Sequence, residues 1–232
     1  MSASKPIYYR YRFPSEIISH GVWLYHRFSL SFREVEDLLA ERGIEVSYES
    51  IRQWCSKFGP DYAAKLKRRR GRLGDIGHLD EVFISIRGQR HYLWRAVDQD
   101  GDVLVILVQR RRDGRAAKLF FRKLLKGQGS EPRRSVTDKL GSYGVAHRVV
   151  MPSVVHDTTL YANNRAELSH EPTRQRERQM RRFKSGAQAQ RFLAVHGMVG
   201  NLFRVGRHLL RAANHRLLRA RAFVEWNAVT YA

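Results

Sequence analysis

The chain has 232 residues, 43% of them hydrophobic, and a formal net charge of +21 from 43 Lys and Arg against 22 Asp and Glu. That length supports one sizeable core, or a core with a satellite domain, and such a charge calls for a large polyanion as partner, nucleic acid first. No apolar run approaches the ~20 residues of a membrane span, the opening MSASKPIYYR lacks the apolar stretch of a secretory signal, and the single cysteine, Cys55, allows no internal disulfide and fits a cytoplasmic setting.

Residues 1–62 read as helices. SEIISHGVWLYHRFS carries Ile17, Ile18, Val22, Trp23 and Leu24 at helical spacing. In SFREVEDLLAERG, Ser31 and Glu34 have the spacing of a capping box, Val35, Leu38 and Leu39 form a stripe, and Gly43 suits the stop. Ser47 then caps a short helix, YESIRQWCSKFG, with Ile51, Trp54 and Cys55 inward and Glu49, Ser50, Arg52, Gln53 and Lys57 outward. Two helices about a glycine turn make a helix-turn-helix pattern, whose second helix enters the major groove. Arg52 suits guanine and Gln53 adenine, with Ser50 and Lys57 beside them as further DNA contacts. An ordinary small helical bundle would share the pattern.

Residues 63–75, AAKLKRRRGRLGD, read as a basic linker in which Arg68, Arg69 and Arg70 track phosphates without reading sequence. The period then changes to two. HLDEVFISI is a strand, and RHYLWRAVDQDGDVLVILVQ is a pair of strands about the turn Asp98–Gly101. DGRAAKLFFRKLLKG is a helix with Leu119, Phe120, Leu124 and Leu125 inward; RRSVTD is a short strand ending in Asp138, and VVHDTTLY is a further strand. An antiparallel meander, a helix and a strand returning parallel to the first make a mixed α/β sheet, the core spanning 76–185. From residue 163 onward the chain is helical and basic, and residues 186–232 form C-terminal helices suited to dimerisation or to DNA contact.

Three acids stand out. Side chains alternate along a strand, so Asp80 shares its face with His78, Val82, Ile84 and Ile86, where an ionised carboxylate needs compensation. Asp138 ends a strand that can lie beside the first, and Glu167 opens an arginine-rich helix. If the three converge they need cations, and hard oxygen ligands favour Mg²⁺ or Mn²⁺. Two ions about 4 Å apart suit phosphodiester chemistry. A buried arginine beside Asp80 is the structural alternative, and Glu81, Asp98 and Asp100 are rival ligands.

FPSEIISH, LSFREVEDLLAERGIEVSYESIRQW, HLDEVF, HYLWRAVDQDG, VTDKLGSYG, NNRAE and PTRQRERQMRRFKS together resemble the bacterial transposases of the insertion-sequence-six family, over nearly the entire chain. The resemblance implies a ribonuclease H-like, integrase-type catalytic core behind the helix-turn-helix domain. It implies Asp80, Asp138 and Glu167 as the DDE triad holding two Mg²⁺ or Mn²⁺ ions, and Arg174 as a grip on DNA near the scissile phosphate. It implies metal-dependent cleavage at terminal inverted repeats, then attack of the freed 3′-hydroxyl on target DNA, with no protein–DNA adduct. Double-stranded DNA, both element ends and target, is the implied partner, and a homodimer or larger assembly on DNA the implied state. No membrane is involved, and the setting is the bacterial cytoplasm with its nucleoid. The chain departs from the family at Gly77, where relatives carry Trp, at Asp157, where they carry Arg, at Val155 in place of Glu, and at Leu168 in place of a polar residue. The alternative function is therefore a catalytically impaired element-end-binding protein or repressor.

Overall fold

The computed structural model describes residues 7–70, 74–128, 131–138, 140–159, 162–180, 183–205 and 210–231, without the side chains of residues 128, 165, 167 and 168. The elements begin with four helices, α1 (Ser15–Arg27), α2 (Phe32–Ala40), α3 (Tyr48–Lys57) and α4 (Gly59–Arg69). Then come β1 (Ile76–Ile86), β2 (Gln89–Val97), β3 (Val103–Gln109), α5 (Gly114–Gln128), β4 (Arg134–Val136), α6 (Gly141–Val150) and β5 (Val155–Asp157). The chain closes with α7 (Asn164–Ser169), α8 (Glu171–Gln179), α9 (Gly186–Phe203) and α10 (Ala212–Thr230). They fall into two compact units, Met1–Arg70 with Val195–Ala232, and Gly71–Ala194.

In the first unit the local signals form as their chemistry dictates. The capping box is made in both directions between Ser31 and Glu34, and the Ser47 hydroxyl accepts from Ser50 N. Gly43, at φ +72°, supplies the left-handed residue that ends α2. Val35 and Leu39 are buried, whereas Leu38 is exposed. On α3, Ile51, Trp54 and Cys55 face inward. The basic run expected as a linker is helical through Arg69; Arg72 lies outside the described residues. The physical reason is a stripe hidden under the charge: Tyr62, Ala63 and, a turn further on, Leu66 are buried while Arg68 and Arg69 face solvent. Tyr62 packs edge-on against Trp226 of α10, so residues 195–232 complete the same core as the N-terminal helices.

The second unit is a five-stranded sheet in the order β3-β2-β1-β4-β5. β1, β2 and β3 form the antiparallel meander, and β4 and β5 add in parallel. At the β2–β3 turn Asp98 Oδ1 accepts from Asp100 N and Asp102 N, both at 2.9 Å, and Gly101 takes φ +84°. Asp98 thereby serves the turn, and among the described residues the acidic cluster does not include it. One face of the sheet carries the apolar core, in which Leu79, Trp94, Phe120, Phe121, Leu124 and Tyr143 are fully buried. Leu119, expected inside, is 47% exposed, because Phe120, Phe121 and Leu124 already fill the inner face of α5. The other face is polar where α7 and α8 cover it: Arg95, His170, Thr173 and Arg176 are all buried.

Candidate active site

Asp80 and Asp138 meet because β1 and β4 run in register. His78 pairs with Val136 in the parallel ladder, and each aspartate stands two residues further on in the same direction. Asp138 is held just past the end of β4, where Leu140 N donates to its Oδ1 at 3.0 Å. Glu81 joins them: one carboxylate oxygen each from Asp80, Glu81 and Asp138 lie within 4.8 Å of one another. Side-chain exposure is 1% for Glu81, 14% for Asp80 and 40% for Asp138, so the cluster opens to solvent on the Asp138 side.

Charge within the cluster is partly compensated. Arg112, from the loop after β3, places Nη2 in close contact with Glu81 Oε1 and 3.6 Å from Asp138 Oδ2. Burial pushes the Glu81 carboxyl up to about 7; Asp138 and Asp80 add to the rise, while Tyr143 and Arg112 oppose it. Burial likewise drives the Tyr143 hydroxyl well above its ordinary value, with Glu81 adding to it.

On the opposite side of β1, Asp80 Oδ2 lies 3.4 Å from Nε2 of His170, a long contact. Burial lowers the His170 pKa, with the Asp80 contact opposing it. Arg95 is the cross-strand partner of Asp80, and its guanidinium donates to the Ser169 carbonyl and the Thr173 hydroxyl. Asn163 Nδ2 donates to the Leu79 carbonyl at 2.7 Å. Helix α7 is therefore tied to β1 at both ends, through Asn163 before it and His170 after it. Glu167 belongs to α7, and its side chain lies outside the described residues.

The expected DNA contacts divide between the two units. Ser50, Arg52, Gln53 and Lys57 lie on the solvent side of α3, Ser50 half-buried. Arg52 is bound to Glu49 through Nε at 2.8 Å and Nη2 at 2.6 Å, and Gln53 Nε2 donates to the same carboxylate at 3.2 Å. Lys57 Nζ stands 4.6 Å from the centroid of the Tyr11 ring. Arg68 and Arg69 are exposed, Arg69 pairing with Glu225 at 3.0 Å, and Arg70 is half-buried. Arg174 is exposed on α8 in the second unit.

Sequence reasoning missed Arg112, Arg95, Asn163 and His170. Arg95 had a signal, a lone charge inside the apolar string HYLWRAV. Arg112 had none, being one of three consecutive arginines.

Residues 75–206 match the family model described as a DDE domain. The chain is 31% identical over 169 residues to the Staphylococcus aureus transposase for insertion sequence-like element IS431mec, covering 70% of this chain and 75% of that protein. The same identity and coverage hold for the S. aureus transposase for insertion sequence element IS257 in transposon Tn4003. The chain belongs to the DDE transposases of insertion sequences. Among solved structures, the magnesium-bound HTLV-2 integrase catalytic core domain, in a trimeric form, is similar at TM-score 0.41 and 13% identity, over 59% of the transposase and 90% of that chain. Among the described residues of the transposase no helix is long and apolar enough to cross a membrane. The acidic cluster offers only oxygen donors, a set that fits a hard divalent cation.

Proposed function

We propose that this transposase cuts the ends of its insertion sequence and joins them to target DNA with Asp80, Asp138 and Glu167 as the acidic triad. The observation that carries the reading is the register of β1 and β4. It sets Asp80 and Asp138 side by side, and the anchors at Leu79 and Asp80 bring the helix bearing Glu167 against the same strand.

In this reading the sheet is a ribonuclease H-like core, and the site takes two divalent ions, Mg²⁺ or Mn²⁺. Bound there, such ions would supply an activated water or hydroxyl and neutralise the leaving oxygen. The protein's own part is positioning. His170 stands 3.4 Å from Oδ2 of Asp80, and Leu140 N holds Oδ1 of Asp138. The oxygen of Asp138 left for a ligand role is Oδ2, which Arg112 faces. The α2–α3 pair is the helix-turn-helix, with Ser50, Arg52, Gln53 and Lys57 toward the element end. Arg68, Arg69, Arg70 and Arg174 add contacts to phosphate, and two copies hold the two ends as a dimer or larger assembly. The net charge of +21 supports a DNA-bound role.

Cleavage of labelled element-end DNA with Mg²⁺ or Mn²⁺ tests this. Wild type should nick at the element boundary, and Asp80→Asn and Asp138→Asn should bind the DNA yet leave it uncut. Cleavage that survives both substitutions would refute the assignment.

A further inference from the structure

The acidic cluster already contains a cation, and it belongs to the chain. Three carboxylates whose oxygens lie within 4.8 Å repel one another, and Glu81 among them is out of reach of solvent. The Arg112 guanidinium meets two of the three, touching Glu81 and standing 3.6 Å from Asp138. A divalent ion held by Asp80 and Asp138 would compete with this guanidinium for Asp138, and two cations close together in a half-buried site repel strongly.

The surroundings of Arg112 suit a side chain that leaves. Its own side chain is 39% exposed, on the same open side as Asp138. Its backbone, by contrast, is fixed: the next residue, Asp113, caps α5 by accepting from Ala116 N at 2.9 Å. A displaced guanidinium thus stays tethered at the mouth of the site, flanked by the exposed Arg110 and Arg111. The anion arriving there is a DNA phosphate, and a planar guanidinium binds phosphate through two parallel hydrogen bonds, as it does carboxylate.

We propose that Arg112 is a catalytic residue of alternating partners: it neutralises Glu81 and Asp138 in the metal-free transposase, yields Asp138 to the incoming divalent ion, and then binds the phosphate of the DNA being cut. The proposal rests on the reading that Asp80 and Asp138 hold metal. It predicts effects of opposite sign at one residue, which a purely structural ion pair would not give.

The test uses the full-length protein with Arg112→Gln and Arg112→Lys. Mn²⁺ is titrated calorimetrically without DNA, and a labelled element-end duplex is then titrated in saturating Ca²⁺. Arg112→Gln should bind Mn²⁺ about tenfold more tightly, a competitor having been removed, and the metal-loaded protein should bind DNA about tenfold more weakly, each a single lost charge-assisted contact. Arg112→Lys, which keeps the charge without the fork, should leave Mn²⁺ affinity near wild type and still weaken DNA binding. Mn²⁺ affinity unchanged or lowered in Arg112→Gln, or DNA affinity unchanged, would overturn the proposal. The metal reading itself fails in a distinguishable way: wild type would then bind Mn²⁺ no better than Asp80→Asn, and the inference would fall with it.

Discussion

Asn163 and Leu79 are joined by a 2.7 Å hydrogen bond from the side-chain amide to the backbone carbonyl of β1. With His170 at Asp80, it ties both ends of the helix that carries Glu167 to consecutive residues of one strand. Asn163→Ala removes a buried hydrogen bond to the Leu79 carbonyl, at a cost of about 0.5–1.5 kcal/mol. It also frees the helix to shift, and losing such a supporting contact lowers activity about 10–100-fold. Single-turnover strand transfer should fall by that factor while element-end affinity, measured by gel shift, stays near wild type. A proportionate loss of both would point to general unfolding instead.

Arg95 crosses from the partner strand of Asp80 to the junction of α7 and α8. Arg95→Met keeps most of the hydrocarbon stem but abandons the Ser169 carbonyl and the Thr173 hydroxyl. Hydrogen bonds from a charged donor contribute more than neutral ones, so the expected loss is about 2 kcal/mol. Urea denaturation measures it, and an unchanged midpoint would contradict the role given to this buried arginine.

Glu49 holds both of the proposed base readers, Arg52 and Gln53. The hydrogen bond from Arg52 keeps the Glu49 carboxyl down at about 2, so the tie persists at neutral pH. An exposed pair of this kind is weak, because solvent screens it. Glu49→Gln should therefore raise element-end affinity by no more than a few-fold, and Arg52→Gln should lower it. Equal affinity in both variants would place α3 away from the DNA.

His147 and His156 stack with ring centroids 4.5 Å apart, and Thr137 Oγ1 lies 2.8 Å from His156 Nε2. Burial holds both histidines below their ordinary range, and for His147 the neighbouring ring adds to the effect. The folded protein therefore refuses protons that the unfolded chain takes up near pH ~6.5, and stability falls as pH drops through that value. His156→Gln should flatten the decline between about pH 7 and 5. Thermal unfolding across that range tests it, and parallel curves for variant and wild type would contradict it.

The departures that the family resemblance implies read differently in three dimensions. Asp157 pairs with Arg134 at 3.6 Å, and its Oδ1 accepts from Thr159 N at 2.9 Å. The reversed charge is thus matched by a basic residue on the adjoining strand, and Asp157→Arg alone would set two guanidinium groups close together on neighbouring strands. That change should cost about 1 kcal/mol, largely recovered when Arg134→Asp is added. Gly77, by contrast, has room: an added Cβ would meet Leu79 Cδ1 at 3.7 Å, an ordinary contact. Gly77→Ala should stabilise β1 by about 0.5–1 kcal/mol, measured by thermal unfolding.

Much of the second unit was legible because its signals are local. The period-two strings, the Asp98–Gly101 turn and the short strand before Asp138 each follow from neighbouring residues, and the meander with its parallel return follows from them. In the first unit the Ser31–Glu34 and Ser47 caps were legible for the same reason. The helix hidden under AAKLKRRR was not, because charge masked a stripe of only Tyr62, Ala63 and Leu66. Around the acids, Asp80 and Asp138 stood out by position. Arg95 stood out only as a lone charge in an apolar string, and Arg112, Asn163 and His170 did not, since each acts across tens of residues of sequence on a partner that only the folded chain brings near. The question raised by a carboxylate on the strand face of Asp80 has two answers: His170 and the Arg95 network on one side, and an open acidic cluster on the other.

The most direct test of the central claim is strand transfer of a labelled element-end oligonucleotide into a plasmid, comparing wild type with Glu167→Gln in Mg²⁺ and in Mn²⁺. Joined product that requires both the metal and Glu167 is the predicted result. Joining by Glu167→Gln at the wild-type rate, or DNA bound by wild type but neither cut nor joined in either metal, would contradict it.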